Sequence, residues 1–399
     1  MPELLVFAVV LTIAVLLSDL AHRSVLSTAV LFLVAGFICG RDMLDLLPLS
    51  ATSPVVSKLA ELALFSVLFT DGMRVGARDL FRAWNLPGRA LLLGLPLTLL
   101  VTALLAHWVA GLSWLASFLV GAVLCPTDPV FAAAIVGRKE IPGRLRNLLN
   151  VESGLNDGLA LPIVLVLMAM SAGNEVSWAE LGIEIAAGVA LGIAVPWAGA
   201  RIERSRLFAI AKSYEPLYAF SLGLLVYSIA GITHANVYLA AFAAGVTVVT
   251  VSTRLRDEFH RFGETVAELF KLAAVLVFGA LMSPVFLREM PWKGYVFAVL
   301  ALVVARPLAL AVALVGSELD WRERLAASWF GPKGFASVVY GLLLLNAGVP
   351  HGNEMFSFIA LVITGSIIAH SSTDVLIARW FAKAEAAERD TACAAGATE

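Results

Sequence analysis

Hydrophobic positions in this chain fall into long, nearly unbroken runs, unlike the one-sided stripes of a helix lying on a soluble core. The runs cover approximately 4–20, 25–40, 55–72, 89–110, 114–136, 148–172, 179–201, 213–231, 235–252, 264–283, 294–315, 324–346 and 354–380, separated by short polar stretches. At helical rise, about 20 apolar residues cross about 30 Å of hydrocarbon. The pattern predicts an all-α polytopic membrane protein with about thirteen transmembrane helices. Residues 1–20 begin with Glu3 where a signal peptide carries basic residues, so they count as the first span. Thirteen spans divide into repeat one (about 4–172), a linker helix (about 179–201) and repeat two (about 213–380). The second six-helix unit then enters from the opposite side, as an inverted repeat does. Residues 1–380 make the transmembrane domain, and 381–399 a cytoplasmic tail that is Ala-rich, mixed in charge, and disordered or helical.

Composition agrees with a bilayer as solvent. Of 399 residues, 60% are hydrophobic and 15% charged, with mean hydropathy +0.89, which excludes a water-soluble enzyme, a nucleic-acid binder and a disulfide scaffold. Cys39, Cys125 and Cys393 have no paired or metal-ligand spacing and read as inert. The formal charge is only −2, so charge placement matters more than the total. With the N-terminus outside, Arg41, Lys58, Arg288 and Lys293 are the only basic residues in outer segments; Lys271, Arg306 and Lys333 fall within apolar runs, and the other 21 of the 28 lie in inner loops and the tail. That segregation follows the positive-inside rule and supports an odd number of spans, with the C-terminus cytoplasmic.

Two spans at corresponding positions carry helix breakers: Cys125-Pro126-Thr127-Asp128-Pro129 in the fifth, and Gly331-Pro332-Lys333-Gly334 in the twelfth. Paired interruptions predict two discontinuous helices crossing at a binding site. Free carbonyls and the Thr127 hydroxyl can face an ion there. The positive N-terminal ends of the broken helices suit Asp128, and the negative C-terminal ends suit Lys333. Asp128, Asp157, Arg306 and Lys333 all lie eight or nine residues from the inner ends of their runs, roughly 12–14 Å deep. A charge at that depth costs about 2.5–3.5 kcal/mol, so each needs a partner or a task.

The segment Asn150-Val151-Glu152-Ser153-Gly154-Leu155-Asn156-Asp157-Gly158 is the most informative in the chain. Helical spacing groups Glu152 with Asn156 and Ser153 with Asp157. Asp157 and Ser153 offer hard oxygen ligands for a small monovalent cation or a proton; pairing with Lys333 is the other reading for Asp157. Glu152, about 140° round the helix from Asp157, either pairs with Arg306 or takes part in transport. Glu268 and Lys271, three apart on one span, read as a local salt bridge. His107, His234 and His370 fall near predicted helix ends, in surface or capping positions or as pH-tuning groups. Asp71 and Arg74, beside the inner mouth, steer cations or close their helix.

Thr127-Asp128-Pro129, Glu152-Ser153-Gly154-Leu155-Asn156-Asp157-Gly158, Arg306-Pro307 and Trp329-Phe330-Gly331-Pro332-Lys333-Gly334, in this order, resemble the monovalent cation:proton antiporters, in the sodium/proton exchanger branch of the prokaryotic NhaP type. The resemblance covers about 4–380. It implies an elevator-like exchanger, usually a homodimer, in which a six-helix core domain moves against an interface domain. It implies Asp157 as the carboxylate that binds cation or proton, Ser153 and Thr127 as co-ligands of the transported Na+, Asn156 and Asp128 as organisers of the crossing, and Glu152 with Arg306 as a structural ion pair. The Asn156-Asp157 pair, in place of two aspartates, is similar to the electroneutral branch, so one cation for one proton is expected. Na+ is the expected cation, with Li+ or K+ as alternatives, in a bacterial plasma (inner) membrane. Where some members place a glutamate in the third span, this chain has Thr70, with Asp71 next to it.

Two other readings of the polar crossing are a cation channel and a sodium-coupled organic-anion symporter. Against them stand the absence of a repeated ring of charges or carbonyls and of a spare basic or aromatic cluster for a large substrate. The reading calls for no cofactor, no catalytic residue and no nucleic-acid partner.

Overall fold

The computed structural model describes residues 2–18, 28–50, 53–74, 85–128, 141–172, 177–205 and 210–396. Every predicted apolar run is represented by a helix: α1 (Pro2–Leu16), α2 (Thr28–Cys39), α3 (Pro54–Arg74), α4 (Asn85–Ala110), α5 (Trp114–Leu124), α6 (Gly143–Ser171), α7 (Trp178–Glu203), α8 (Glu215–Ile232), α9 (Val237–Val251), α10 (Thr253–Leu281), α11 (Trp292–Ala313), α12 (Trp321–Trp329), α13 (Phe335–Asn346) and α14 (Gly352–Gly396). The predicted continuation of the fifth span, 129–136, lies outside the described residues.

Local chemistry sets many of the starts. Side chains of Ser113, Ser177, Asn236 and Ser252 accept hydrogen bonds from the first turns of α5, α7, α9 and α10. Asp320 and Glu323 form a reciprocal capping box on α12. One boundary differs from expectation, and the tail takes the helical one of its two expected forms. The Ser252 cap starts α10 at Thr253, about ten residues before the apolar run, because its first turns are polar but still helical. The last helix continues through the expected tail to Gly396, since an Ala-rich mixed-charge segment contains nothing to stop it.

Six helices are long and apolar enough to cross a membrane unaided, among them α4, α6, α7 and α11. Their outward faces are leucine, isoleucine and valine, and Trp108, Trp178, Trp292 and Trp321 stand exposed at helix ends. Water would oppose such a surface, whereas lipid tails and an interfacial aromatic belt accept it.

The helices pack as two bundles. One comprises α1–α3 with α7–α10, the other α4–α6 with α11–α14. The first three spans of each six-span unit thus share one bundle, and the last three of each share the other. In the first bundle small residues bring backbones together. A Cβ on Gly72 would stand 2.4 Å from the Phe242 carbonyl oxygen, and one on Gly245 would stand 2.2 Å from that of Phe69. Lipid supplies no hydrophobic drive for helix association, so α3 and α9 depend on this close van der Waals approach. Gly245→Val should push α3 from α9 and cost about 1–3 kcal/mol, read as a lowered thermal midpoint in detergent; an unchanged midpoint would show that the contact is dispensable.

Candidate functional site

The break in the twelfth span is visible on both sides. Helix α12 ends at Trp329, residues 330–334 are non-helical, and α13 starts at Phe335. The fifth span breaks after Leu124, where Pro126 cannot donate to the helical ladder. These two breaks face each other. The Asp128 backbone N–H donates to the Pro332 carbonyl (2.9 Å), while Asp128 Oδ2 accepts from the N–H of Phe335, the first residue of α13 (2.8 Å). The Lys333 ammonium donates over longer distances to the Cys125 and Pro126 carbonyls, 3.4 and 3.5 Å away, at the C-terminal end of α5. A carboxylate thus meets a helix N-terminus and an ammonium meets a helix C-terminus, the favourable sense for both dipoles. Gly334 lets the chains approach, because a Cβ there would sit 2.0 Å from Asp128 Cβ. Lys333 therefore faces backbone carbonyls, and its sequence-level alternative as the partner of Asp157 is not the arrangement seen.

Arg306 begins the half of α11 that follows a π turn over Ala301–Ala305, and Pro307 at the next position has no amide to offer that turn. Its guanidinium grips Glu152 in a fork, Nη1 to Oε1 at 2.6 Å and Nη2 to Oε2 at 2.9 Å, with both residues buried. Nη2 also donates to the Ala327 and Phe330 carbonyls (3.3 and 3.1 Å). Gly331 makes room for this, as a Cβ there would collide with Arg306 Cδ.

Asp157 is 2% exposed near the middle of α6. Its Oδ1 is buried and has no hydrogen-bond partner among the described residues, which is rare for a carboxylate oxygen away from water. Beside it, Asn156 Nδ2 donates to Thr127 Oγ1 (2.6 Å), and Thr127 Oγ1 lies 3.4 Å from Ser153 Oγ. Because Thr127 accepts from Asn156, its own proton is free to go to Ser153, which stands one helical turn from Asp157. The Tyr340 hydroxyl donates to the Asp157 backbone carbonyl (2.8 Å), and Ser337 Oγ to that of Val123 (2.7 Å), tying α13 to α6 and α5. Among the described residues no three His, Cys, Asp or Glu side chains gather as a metal cluster. The donors available at Asp157 are one carboxylate and neighbouring hydroxyls, suited to a monovalent cation or a proton.

Asp157 lies on the seam between the bundles. Helix α6 packs against α3 and α9, and a Cβ on the adjacent Gly158 would touch the Phe242 ring at 3.1 Å. The charges acting on Asp157 are Asp71, Asp128 and Lys271, of which Asp71 and Lys271 come from the opposite bundle. Asp71 is fully buried and does not merely close its helix, while the Thr70 hydroxyl donates to Ser66 O of its own helix (2.7 Å). Lys271 is buried as well and acts across the seam, a role its spacing from Glu268 gave no reason to expect.

Sequence reasoning missed several groups. Glu323, not singled out from the sequence, is fully buried and accepts from Arg144 Nε at 2.7 Å, joining the starts of α6 and α12. Ser337, Tyr340 and Ser366 carry no signal beyond being polar in apolar runs. His370 was expected at a surface or cap and is 3% exposed.

The sequence pattern of the transmembrane sodium/hydrogen exchanger family matches residues 7–380. The chain is 26% identical over 386 residues to the K(+)/H(+) antiporter NhaP of Alkalimonas amylolytica, and 26% identical over 384 residues to the K(+)/H(+) antiporter NhaP2 of Shewanella baltica. Each match takes in 94% of this chain and 66% of the relative, so the chain spans just under two thirds of their length. Its fold matches that of the sodium proton antiporter MjNhaP1 from Methanocaldococcus jannaschii with a TM-score of 0.78 and 18% identity, covering 95% of this chain and 99% of that one.

Arg306→Ala would strand Glu152 in a low-dielectric site and should cost about 3–5 kcal/mol, seen as reduced thermal stability in detergent. The double replacement Arg306→Met with Glu152→Leu should recover part of the loss, the remainder reflecting the unserved Ala327 and Phe330 carbonyls. Equal stability of Arg306→Ala and wild type would refute a structural role for the pair.

Proposed function

Because the chain belongs to the sodium/hydrogen exchanger family, we propose that it exchanges one monovalent cation for one proton at Asp157, with no net movement of charge. The observation that carries this reading is the buried, unpartnered Oδ1 of Asp157, one turn from Ser153 and beside Thr127. A carboxylate in that setting holds a proton or a cation but not both, so each displaces the other. Na+ or K+ fits the oxygen donors, and the transported ion completes the site as substrate, with Asp157, Ser153 and Thr127 as its ligands.

The surrounding charges support the same reading. Glu152 and Arg306 neutralise each other, while Asp128 and Lys333 answer helix ends, which leaves Asp157 as the carboxylate at the crossing able to change partners. Asn156 supplies a hydrogen bond to Thr127 without adding a second titrating carboxylate, in keeping with one-for-one exchange. The seam position supports alternating access: sliding of the bundle of α4–α6 and α11–α14 against the other exposes Asp157 to each side in turn. We further infer a homodimer in a bacterial inner membrane, with the N-terminus outside and the C-terminus cytoplasmic, on the basis of the family resemblance and the basic-residue segregation. A channel or an organic-anion symporter gains no support, because the basic groups of the crossing, Arg306 and Lys333, are already engaged with Glu152 and with backbone carbonyls.

In proteoliposomes carrying a pH-sensitive dye, wild type should dissipate a proton gradient when Na+, Li+ or K+ is added, with the ranking of the three defining the substrate. Asp157→Asn should abolish the response while keeping wild-type thermal stability; vigorous exchange by that variant would reject Asp157 as the binding carboxylate. A membrane potential should leave the rate unaltered, and a marked voltage dependence would rule out one-for-one stoichiometry.

A further inference from the structure

Among the peptide groups that the break between α12 and α13 leaves without helical partners are the Trp329 carbonyl at one edge, which accepts from the Gly331 N–H (2.9 Å), and the Lys333 amide at the other. Both are served by one turn of α14. The Lys333 N–H donates to Ser366 Oγ (2.7 Å), Ser366 Oγ lies 3.1 Å from His370 Nδ1, and His370 Nε2 lies 2.9 Å from the Trp329 carbonyl oxygen. Nδ1 stands between two groups, the Ser366 hydroxyl and the Ser366 backbone carbonyl oxygen 2.8 Å away, and neutral His370 with its proton on Nε2 serves the first in a directional relay: Lys333 N–H to Ser366 Oγ, Ser366 O–H to Nδ1, Nε2–H to Trp329 O. The His370 ring also lies against the Trp329 indole, centroids 5.2 Å apart, and the Trp329 ring N–H donates to Thr373 Oγ1 (2.9 Å). The same break carries the ammonium that answers the end of α5 and the first amide of α13 that holds Asp128.

We propose that His370 is a proton-sensitive positioning residue that spans the broken helix and sets the maximal rate of exchange. A proton on Nδ1 removes the acceptor for Ser366 O–H, and the new N–H donates to the Ser366 backbone carbonyl, already 2.8 Å away. The relay is then cut at Ser366, and a new positive charge stands beside two existing ones. Of the elements packed against α14, α5 has no ionisable side chain, α2 only Cys39 and α13 only Tyr340, while α12, whose last residue Trp329 lies against His370, carries Arg322, Glu323 and Arg324 in its first turn, at the opposite end from the ring. α11 brings Arg306, with Lys293 and Tyr295 near its opposite end. The charges acting on the ring are Lys333 and Arg306, the latter already balanced by Glu152. Protonation therefore loosens the break and disfavours Lys333 in its place near the Cys125 and Pro126 carbonyls. Exchange slows on acidification in a way distinct from proton competition at Asp157. Competition weakens apparent cation affinity and is overcome by saturating cation; a loosened crossing lowers the maximal rate and is not.

This inference rests on the exchange reading, and two measurements separate their fates. The first is initial exchange rate against cation concentration in proteoliposomes between about pH 5 and 8, where histidine titrates. Wild type should lose maximal rate several-fold toward the acid end while its apparent affinity also weakens. His370→Gln, which can still donate to the Trp329 carbonyl but does not titrate, should keep the affinity change and lose the fall in maximal rate. Ser366→Ala, which cuts the relay at every pH, should show a low, pH-independent maximal rate. The second measurement is the thermal midpoint of wild type and His370→Gln in detergent over the same range, and the advantage of wild type should shrink as pH falls. A wild-type maximal rate flat with pH, an acid fall retained in His370→Gln, or a constant difference in midpoint would overturn the proposal. A shrinking difference in a protein that exchanges no cation would uphold the relay and reject the exchange reading.

Discussion

A helix interrupted inside a bilayer exposes peptide groups that water cannot reach, and the arrangement at the crossing follows from the need to satisfy them from within. The carbonyl end of α5 faces Lys333, the amide start of α13 meets Asp128, and the Ala327 and Phe330 carbonyls take hydrogen bonds from Arg306. Trp329 O and the Lys333 amide are reached by His370 and Ser366. Each of these solutions places a polar or charged side chain in apolar surroundings, where it needs compensation in turn. Arg306 is the clearest case: serving two carbonyls buries its charge, and Glu152 balances it. The sites at which glycine stands, 331 and 334, are those where these side chains press against the backbone of the break.

A crossing whose permanent charges are committed to helix ends and to each other makes a suitable surround for a carboxylate that must change partners. Asp157 is held through its backbone by Tyr340, while its Oδ1 stays without a protein donor. In the proposed exchange that asymmetry matters. A carboxylate saturated with hydrogen bonds would bind neither guest well, and one with none of its surroundings fixed would not present the hydroxyls of Ser153 and Thr127 at a constant spacing. In the same proposal its place on the seam between two bundles meets the second requirement of a carrier, since Thr127 beyond α5 and Ser153 and Asp157 on α6 would travel together while the opposing wall, with Asp71 and Lys271, changes.

The two bundles use different means of cohesion. The one containing Asp157 is joined by polar contacts, including the buried pair of Arg306 with Glu152 and the half-exposed Arg144 with buried Glu323 near the starts of α6 and α12. The other is joined by small residues that let helices touch, as at Gly72 and Gly245 between α3 and α9. Hydrogen-bonded and charged groups impose particular partners, while close backbone packing imposes a close helix spacing.

The one-dimensional pattern determined a great deal here, because a bilayer enforces it residue by residue. A span must be apolar for about 20 positions, a proline within it must break the helix, and a charge at depth needs a counterpart, so the helices, the two interruptions and Arg306 as a candidate partner for Glu152 could all be read directly. Partners across space left no such trace. Arg144 counted only among the basic residues of the inner loops and Glu323 carried no signal, Lys271 resembled half of a pair with Glu268, and His370 resembled an end residue because the hydropathy of its helix fades where the helix itself does not. Hydropathy reports the average environment of a segment, and periodicity reports which residues share a face; neither says what lies opposite that face. Only the tertiary packing decided that Lys333 meets carbonyls and not Asp157, that Asp71 and Lys271 look across the seam, and that a histidine and a serine on the last helix close the gap in the twelfth span.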